Sequence, residues 1–369
     1  MVTITQDAVL ERLREVQDPE LHRSIVDLGM VRSIDIGGGR IAIDVRLTVQ
    51  GCPLTQRIER EVKEAVGAID GVGGPDSVDV RLGVMTPEEL RAVGAKVRAG
   101  GAASAGAPVP PSPFTSGELK TRVLIVASGK GGVGKSTVAA NLGAALAARG
   151  KSVGLLDADI YGFSIPRLVG LTQAPRVITD GVIIPPEASG MKVMSMGSLV
   201  EERQPVIWRG PMLSKLLGQF LGEVQWGEPD YLVVDSPPGT GDVAISLQGQ
   251  LPKGAIVLVT TPQDLAVSVA ARVSAMAART GQRVAGVVEN MAYFACPHCG
   301  ERTQVFAGSG GEMLADELGV PLLGRLPVLP QLSAQGDQGR PAVLASPESE
   351  EARAFDALAA AVLAIEWPA

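Results

Sequence analysis

Two stretches of this 369-residue chain hold residue types whose spacing does chemistry. The first is SGKGGVGKST, residues 128–137. Gly129 is followed, after four intervening residues, by Gly134, Lys135 and Ser136, the pattern of a glycine-rich turn whose backbone N–H groups cradle phosphates. Gly129, Gly131, Gly132 and Gly134, with Val133 among them, allow close backbone approach to an anion. The helix that follows turns the positive end of its dipole to the same place. Lys135 is the lysine the pattern requires, to reach the β- and γ-phosphates, and Ser136 is the expected Mg2+ ligand, with Thr137 beside it. Lys130 is a second lysine that the pattern does not require. The other stretch is CPHC. Cys296 and Cys299 are spaced so that a turn brings both thiolates to one point, which is half of a four-coordinate metal set.

Acids at strand ends extend the phosphate site. Asp235 closes the apolar run YLVVD and is the expected partner of the metal's water shell. Asp157 and Asp159 close VGLLDAD at i and i+2, so both are expected to point into the strand-end crevice where ligands of such sheets bind. A helix cap or a solvated loop is the plainer reading of either. Asn290, at the end of RVAGVVEN, is counted among the nucleotide contacts. The expected nucleotide is ATP, with Lys130, Lys135 and Asp159 in catalytic roles. For the cysteine pair the spacing leaves a [4Fe–4S] cluster, Zn2+ and a redox dithiol open. His298, between the cysteines, reads either as a further ligand or, more plainly, as an exposed turn residue. Cys52, alone in QGCPLT between a strand and a helix, is either a small buried hydrophobe or a thiol of lowered pKa. Asp18, Glu20 and His22 in DPELH read as a turn.

These residues need a scaffold of short buried strands. RVLIVAS, SVGLLDAD, YLVVDSPP, AIVLVTT and RVAGVVENM are nearly continuous apolar runs, as a parallel sheet covered on both faces requires. STVAANLGAALAARG, DLAVSVAARVSAMAART and SEEARAFDALAAAVLAI are the expected covering helices. Residues 96–119 are mostly Gly, Ala, Ser and Pro and bury too little to offset ordering entropy, so they read as a linker. Residues 1–95 form a small α+β domain. TQDAVLERLREV and PLTQRIEREVKEAVGAI have helical period, and IAIDVRLT alternates with Ile41, Ile43, Val45 and Leu47 on one face. The fold class is α/β: residues 120–369 form a P-loop NTPase whose mostly parallel sheet carries helices on both faces, after the small domain.

A net charge of −7 argues against a dominant nucleic-acid or anionic-membrane surface. No apolar run approaches a membrane span, and the N-terminus does not read as a secretory signal. Three cysteines, an odd count, build no disulfide framework, which fits a reducing cytoplasm.

KGGVGKST is similar to the deviant Walker A motif of the MinD/ParA/nitrogenase-iron-protein class. That resemblance implies that Lys130 crosses a homodimer interface to the partner's nucleotide; a contact within its own chain, or a solvated lysine, is the plainer reading. Together NMAYFACPHCG, DADIYGFSIP, VIWRGPM and VDSPPGTGD resemble the Mrp-type iron–sulfur cluster carrier ATPases over about residues 120 to 365. DPELHRSIVDLGMV and LTVQGCPLT resemble the small domain shared with iron–sulfur assembly proteins. What this implies is a [4Fe–4S] cluster bridged by Cys296 and Cys299 of two chains, passed to apo-protein clients alongside cluster-assembly proteins, with slow ATP hydrolysis and no nucleic-acid or membrane partner. Phe163 departs from the family, which commonly has Pro there. Two other readings are a MinD/ParA-like switch with a structural zinc and an electron-transfer reductase like the nitrogenase iron protein. The C-terminus lacks the basic face of a membrane helix, and the reductase's cluster cysteines lie far apart in sequence.

Overall fold

The computed structural model describes residues 4–18, 21, 23–37, 40–48, 55–99, 114, 120–159, 162–179, 182–198, 210–239, 242–263, 272, 275–277, 279–296, 298–328 and 330–367. Cys52, Glu20, His22 and nearly all of the linker lie outside them, as does most of the helix expected over 264–280.

Two compact units are present. The smaller begins with α1 (Gln6–Leu13), capped by Thr5, whose hydroxyl accepts the Ala8 N–H. A two-stranded pair, β1 (Gln17–Asp18) and β2 (Arg23–Ser24), leads into the short α2 (Ile25–Leu28). β3 (Val31–Gly37), β4 (Arg40–Leu47) and β5 (Val78–Val84) form a three-stranded sheet with β4 central, antiparallel to β3 and parallel to β5. β4 buries Ile41, Ile43, Val45 and Leu47, as its alternation requires. α3 (Thr55–Gly67) sets Ile58, Val62 and Val66 into the same core, and α4 (Pro87–Ala99) follows β5.

The larger unit opens with β6 (Arg122–Ser128), α5 (Lys135–Ala148) and β7 (Val153–Asp157), then α6 (Ile165–Val169). Next come β8 (Arg176–Thr179) and β9 (Val182–Ile184), an antiparallel hairpin that belongs to the smaller unit along with Glu223–Gly227. Its Ile178, Val182 and Ile184 complete that unit's apolar core. The larger unit resumes with β10 (Glu187–Ala188), β11 (Met191–Ser195), α7 (Gly210–Gly222), β12 (Tyr231–Asp235), α8 (Asp242–Gln250), β13 (Ala255–Thr260) and β14 (Arg283–Ala295). It ends with β15 (Arg302–Thr303), α9 (Gly310–Leu318), β16 (Leu322–Pro327), α10 (Pro330–Asp337), α11 (Ala342–Ala345) and α12 (Glu350–Leu363).

Its sheet runs β10-β11-β7-β12-β6-β13-β14-β15, with β16 also beside β14. From β11 to β14 every neighbour is parallel, and β10 and β15 are antiparallel additions. β13 shows why its run reads as continuously apolar. Ala255, Val257 and Val259 face the core shared with α5 and α12, while Ile256 and Leu258 face the opposite layer, where Met276 and the α9 residue Leu314 lie. Both faces of the strand are therefore buried, as in other parallel sheets with crossover helices. α5 is buried on nearly every side because α12 covers it with Phe355, Leu358, Ala359 and Val362. Parallel strands place their C-terminal ends along one edge, and the candidate nucleotide residues sit on that edge.

Candidate functional site

β6 ends at Ser128 and α5 begins at Lys135, so the glycine loop is the whole connection. Gly132 and Gly134 both have φ of +82°, left-handed backbone that favours glycine. Added Cβ atoms at Gly131 and Gly132 would meet no atom within 4 Å, whereas one at Gly134 would collide with the Asn290 side-chain amide. The loop is open on the side of Gly131 and Gly132, and the first N–H groups of α5, which a helix leaves without intrahelical partners, lie at its end. Asn290, buried within β14, donates from Nδ2 to the Val133 carbonyl at 2.8 Å and holds the loop from behind.

The lysine of the loop is drawn inward. Lys135 is 6% exposed, with Nζ 2.5 Å from Asp235 Oδ1, 3.6 Å from Asp159 Oδ2 and 3.3 Å from Ser136 Oγ. Strand register accounts for the acids. Asp235 on β12 lies opposite Asp157 on β7 and Val126 on β6. Backbone bonds lace the strand ends together: Ala158 N–H to Asp235 carbonyl at 2.9 Å, Ser236 N–H to Val126 carbonyl at 3.0 Å, and Gly239 N–H to Ser128 carbonyl at 3.0 Å. Gly239 takes φ of +80° to make that turn.

Asp157 and Asp159 share the crevice but not their partners, which differs from the expectation that their side chains would point together. β7 ends at Asp157, so the period of 2 no longer governs Asp159. Asp159 reaches Lys135. Asp157 is fully buried; it accepts from Ser195 Oγ at 2.9 Å and from the Asp159 N–H at 3.1 Å. Burial, aided by the nearby Asp235 carboxylate, pushes the Asp157 carboxyl up to about 7. Burial also raises Asp235, against the opposing pull of Lys135. Asp235 Oδ2 is buried with no hydrogen-bond partner. An orphaned carboxylate oxygen, the Ser136 hydroxyl beside it and an open cradle of backbone N–H groups are a fitting donor set for a nucleotide phosphate with Mg2+.

Lys130 lies elsewhere. It is exposed, its carbonyl accepts from Ser128 Oγ at 3.0 Å, and its Nζ donates to Gln263 Oε1 at 3.3 Å. Phe163 packs its ring on Gly197, where an added Cβ would overlap it. The Gly197 N–H donates to Ser195 Oγ at 3.1 Å, so the ring rests on the turn that fixes Ser195. Sequence reading missed Ser195, which sits in no motif. It missed Glu289 as well, although that residue adjoins Asn290. Glu289 is buried, accepts the Gly311 N–H at 2.7 Å and pairs with Arg325 at 3.3 Å, so it anchors the start of α9.

The cysteines occupy a hairpin at the far end of β14. Phe294 and Ala295 pair with Thr303 and Arg302. The Cys296 N–H donates to the Glu301 carbonyl at 2.9 Å and the Gly300 N–H to the Cys296 carbonyl at 2.8 Å, with Gly300 at φ of +74° closing the turn. The backbone N–H of Cys299, then that of His298, bond the Cys296 sulfur and hold its thiol below the ordinary range. Cys299 and His298 are exposed. Among the described residues, no group of three or more His, Cys, Asp or Glu side chains gathers as a metal site.

Residues 120–363 match the model of a protein family described as a NUBPL iron-transfer P-loop NTPase, and residues 6–80 match that of an iron–sulfur cluster assembly protein. The iron–sulfur cluster carrier protein of Mycobacterium leprae is 46% identical over 351 residues, covering 93% of this chain and 89% of that one. Its counterpart in Synechocystis is 42% identical over 361 residues, 96% of each chain, and that of Bacillus subtilis 44% identical over 350 residues, 92% of each. Among solved structures, a nucleotide-binding protein from Archaeoglobus fulgidus in complex with ADP aligns with a TM-score of 0.55 and 38% identity, over 63% of this chain and 91% of that one.

Proposed function

This chain belongs to the iron–sulfur cluster carrier family of P-loop NTPases, and we propose that it works as a cytoplasmic homodimer that bridges a [4Fe–4S] cluster, hands it to apo-protein clients and hydrolyses ATP as it does so. The cluster is cargo. The observation that carries the reading is the pairing, on one unit, of a two-thiol hairpin with a phosphate loop. Cys296 and Cys299 supply two thiolates per chain where a [4Fe–4S] cluster takes four. A two-fold dimer supplies the rest.

At the nucleotide site the donors divide by role. The backbone of Gly129 to Gly134 and Lys135 hold the β- and γ-phosphates, and Ser136 and Asp235 hold Mg2+, with Thr137 and Asp157 behind them. Bound there, Mg2+ supplies charge neutralisation for the phosphates. Asp159, 3.6 Å from Lys135, is placed to position that lysine and to orient the attacking water. Lys130, exposed and donating to Gln263, reaches a partner's nucleotide, where a positive group stabilises charge developing on the transferred phosphoryl.

Anaerobic reconstitution tests the reading. Iron and sulfide content against oligomer mass is expected to approach one [4Fe–4S] per dimer. Cys296→Ser is expected to lose the cluster while ATP affinity stays within about twofold, since the thiols and the loop occupy separate parts of the sheet. A full cluster on a monomer, an intact cluster in Cys296→Ser, or zinc in place of iron would defeat it.

A further inference from the structure

The cysteine hairpin is braced by a cluster that neither the nucleotide site nor the thiols use. Tyr293 stands on β14 just before Cys296, and Arg302 opens β15 just after Cys299. Both converge on Glu350, the first residue of α12. The Tyr293 hydroxyl donates to Glu350 Oε1 at 2.9 Å, and the Arg302 guanidinium donates to the same oxygen at 2.6 Å. Arg302 also lies over the Tyr293 ring, 4.6 Å from its centroid. Arg353 donates to Glu350 Oε2 at 3.4 Å.

The cluster is built to hold its form. The Glu350 side chain is 24% exposed, so water reaches it only in part. Burial and the Glu350 hydrogen bond push the Tyr293 hydroxyl up to about 12. Burial acts to raise the Glu350 carboxyl, but the bonds from Tyr293 and Arg302 outweigh it and hold the group below its ordinary range. Phenol donor and carboxylate acceptor therefore persist across neutral pH.

The hairpin needs such a brace. One arm continues β14, which is tied to the sheet where Tyr293 pairs with Pro327, but β15 joins it through the pairs Phe294–Thr303 and Ala295–Arg302, and a ladder this short is not stable by itself in water. Tyr293 and Arg302 come from opposite arms. By meeting on one carboxylate they tie the arms to each other and to α12, whose Phe355, Leu358, Ala359 and Val362 are set in the core.

We propose that Glu350, with Tyr293 and Arg302, is the positioning clamp that fixes the direction in which Cys296 and Cys299 face, and so sets how firmly a chain holds its half of the cluster. The proposal rests on the reading of these cysteines as cluster ligands. Ligands held in place before binding lose less freedom on binding, so a bound group leaves more slowly. None of the three residues bonds the cluster; they act through the hairpin that carries the thiols.

The test uses the full-length protein and three variants: Glu350→Ala, Glu350→Gln and Tyr293→Phe. Hydrogen exchange of the amides in 294–303 reports the clamp whether or not a cluster is present. Loss of the reconstituted cluster to an iron chelator, under anaerobic conditions, reports its effect on the cargo. Glu350→Ala is expected to speed both by about tenfold, the scale of one charge-assisted hydrogen bond. Tyr293→Phe is expected to give a smaller change, and Glu350→Gln, which keeps an acceptor, partial rescue. ATP affinity is expected to stay within about twofold and exchange in α5 unchanged, which separates local loosening from general destabilisation. Wild-type exchange and wild-type cluster loss in Glu350→Ala would overturn the proposal. Should Glu350→Ala fail to fold, Tyr293→Phe, which deletes one hydroxyl, decides in the same way. A wild-type protein that takes up no cluster would refute the cargo reading while the exchange data still decide the clamp.

Discussion

Asp157 keeps its proton to about pH 7 because it is fully buried beside Asp235, and the sign of the consequence is fixed by linkage. In the unfolded chain the group ionises near its ordinary 3.8. Below that both states hold the proton and it contributes nothing. From about 4 to 7 the folded protein binds the extra proton, so stability falls as pH rises, and above 7 the full penalty stands. Asp157→Asn keeps the shape without the charge. Measured without nucleotide, its urea midpoint is expected to match the wild type near pH 4 and to exceed it increasingly up to pH 7. The gain should then level off at about 1–2 kcal/mol, short of the roughly 4 kcal/mol ceiling set by the shift, because buried charges relax and draw in water. A gap that does not change with pH would contradict this account. ATP binding in the same variant is expected to weaken, since the amide lacks the charge that a metal site draws on.

The glycine loop works as an element, and its glycines are needed for different reasons. Gly134 has left-handed backbone and no room for a Cβ, because the Asn290 amide lies against it on its way to the Val133 carbonyl. Gly131 faces open space. Gly134→Ala is therefore expected to lower stability by about 1–3 kcal/mol and to abolish tight ATP binding. Gly131→Ala should leave the melting temperature unchanged while weakening ATP, since its methyl group occupies only the approach to the cradle. Calorimetry of both variants checks the contrast, and equal losses of stability would refute it. The difference was not legible in the motif, which treats its glycines alike. What was legible at this scale is what period and burial control. Continuous apolar runs became the central strands, because both faces of each are covered, and the alternation of Ile41, Ile43, Val45 and Leu47 became β4. Ser195 and the Tyr293–Arg302–Glu350 group were not, because their partners lie 38 to 57 residues away and no local pattern encodes a meeting at that distance.

At the scale of the whole molecule, chain order is a poor guide to which unit a segment joins. β8 and β9 lie within the sequence of the larger unit, yet Ile178, Val182 and Ile184 pack into the core of the smaller. Three apolar residues in a short hairpin look the same whichever core receives them. Oligomer chemistry is still less local, and Lys130 makes it testable. Its place in the motif raises the question of a second lysine, and its exposure, with Gln263 as its partner at 3.3 Å, leaves it free to leave its own chain. In the proposed dimer each working site takes Lys135 from one chain and Lys130 from the other. Lys135→Ala should lose ATP binding, and Lys130→Ala should bind ATP but hydrolyse it about 1,000-fold more slowly or worse, the scale of a positive group supplied in trans. A heterodimer of the two variants has one complete site, formed by Lys135 of the Lys130→Ala chain and Lys130 of the Lys135→Ala chain. Random reassortment of an equal mixture makes about half the dimers mixed, each with one of two sites intact, so roughly a quarter of wild-type turnover is expected to return. Native mass spectrometry confirms that mixed dimers form. If they form and turnover stays at the average of the two parent variants, Lys130 acts within its own chain, and the site is complete without the partner.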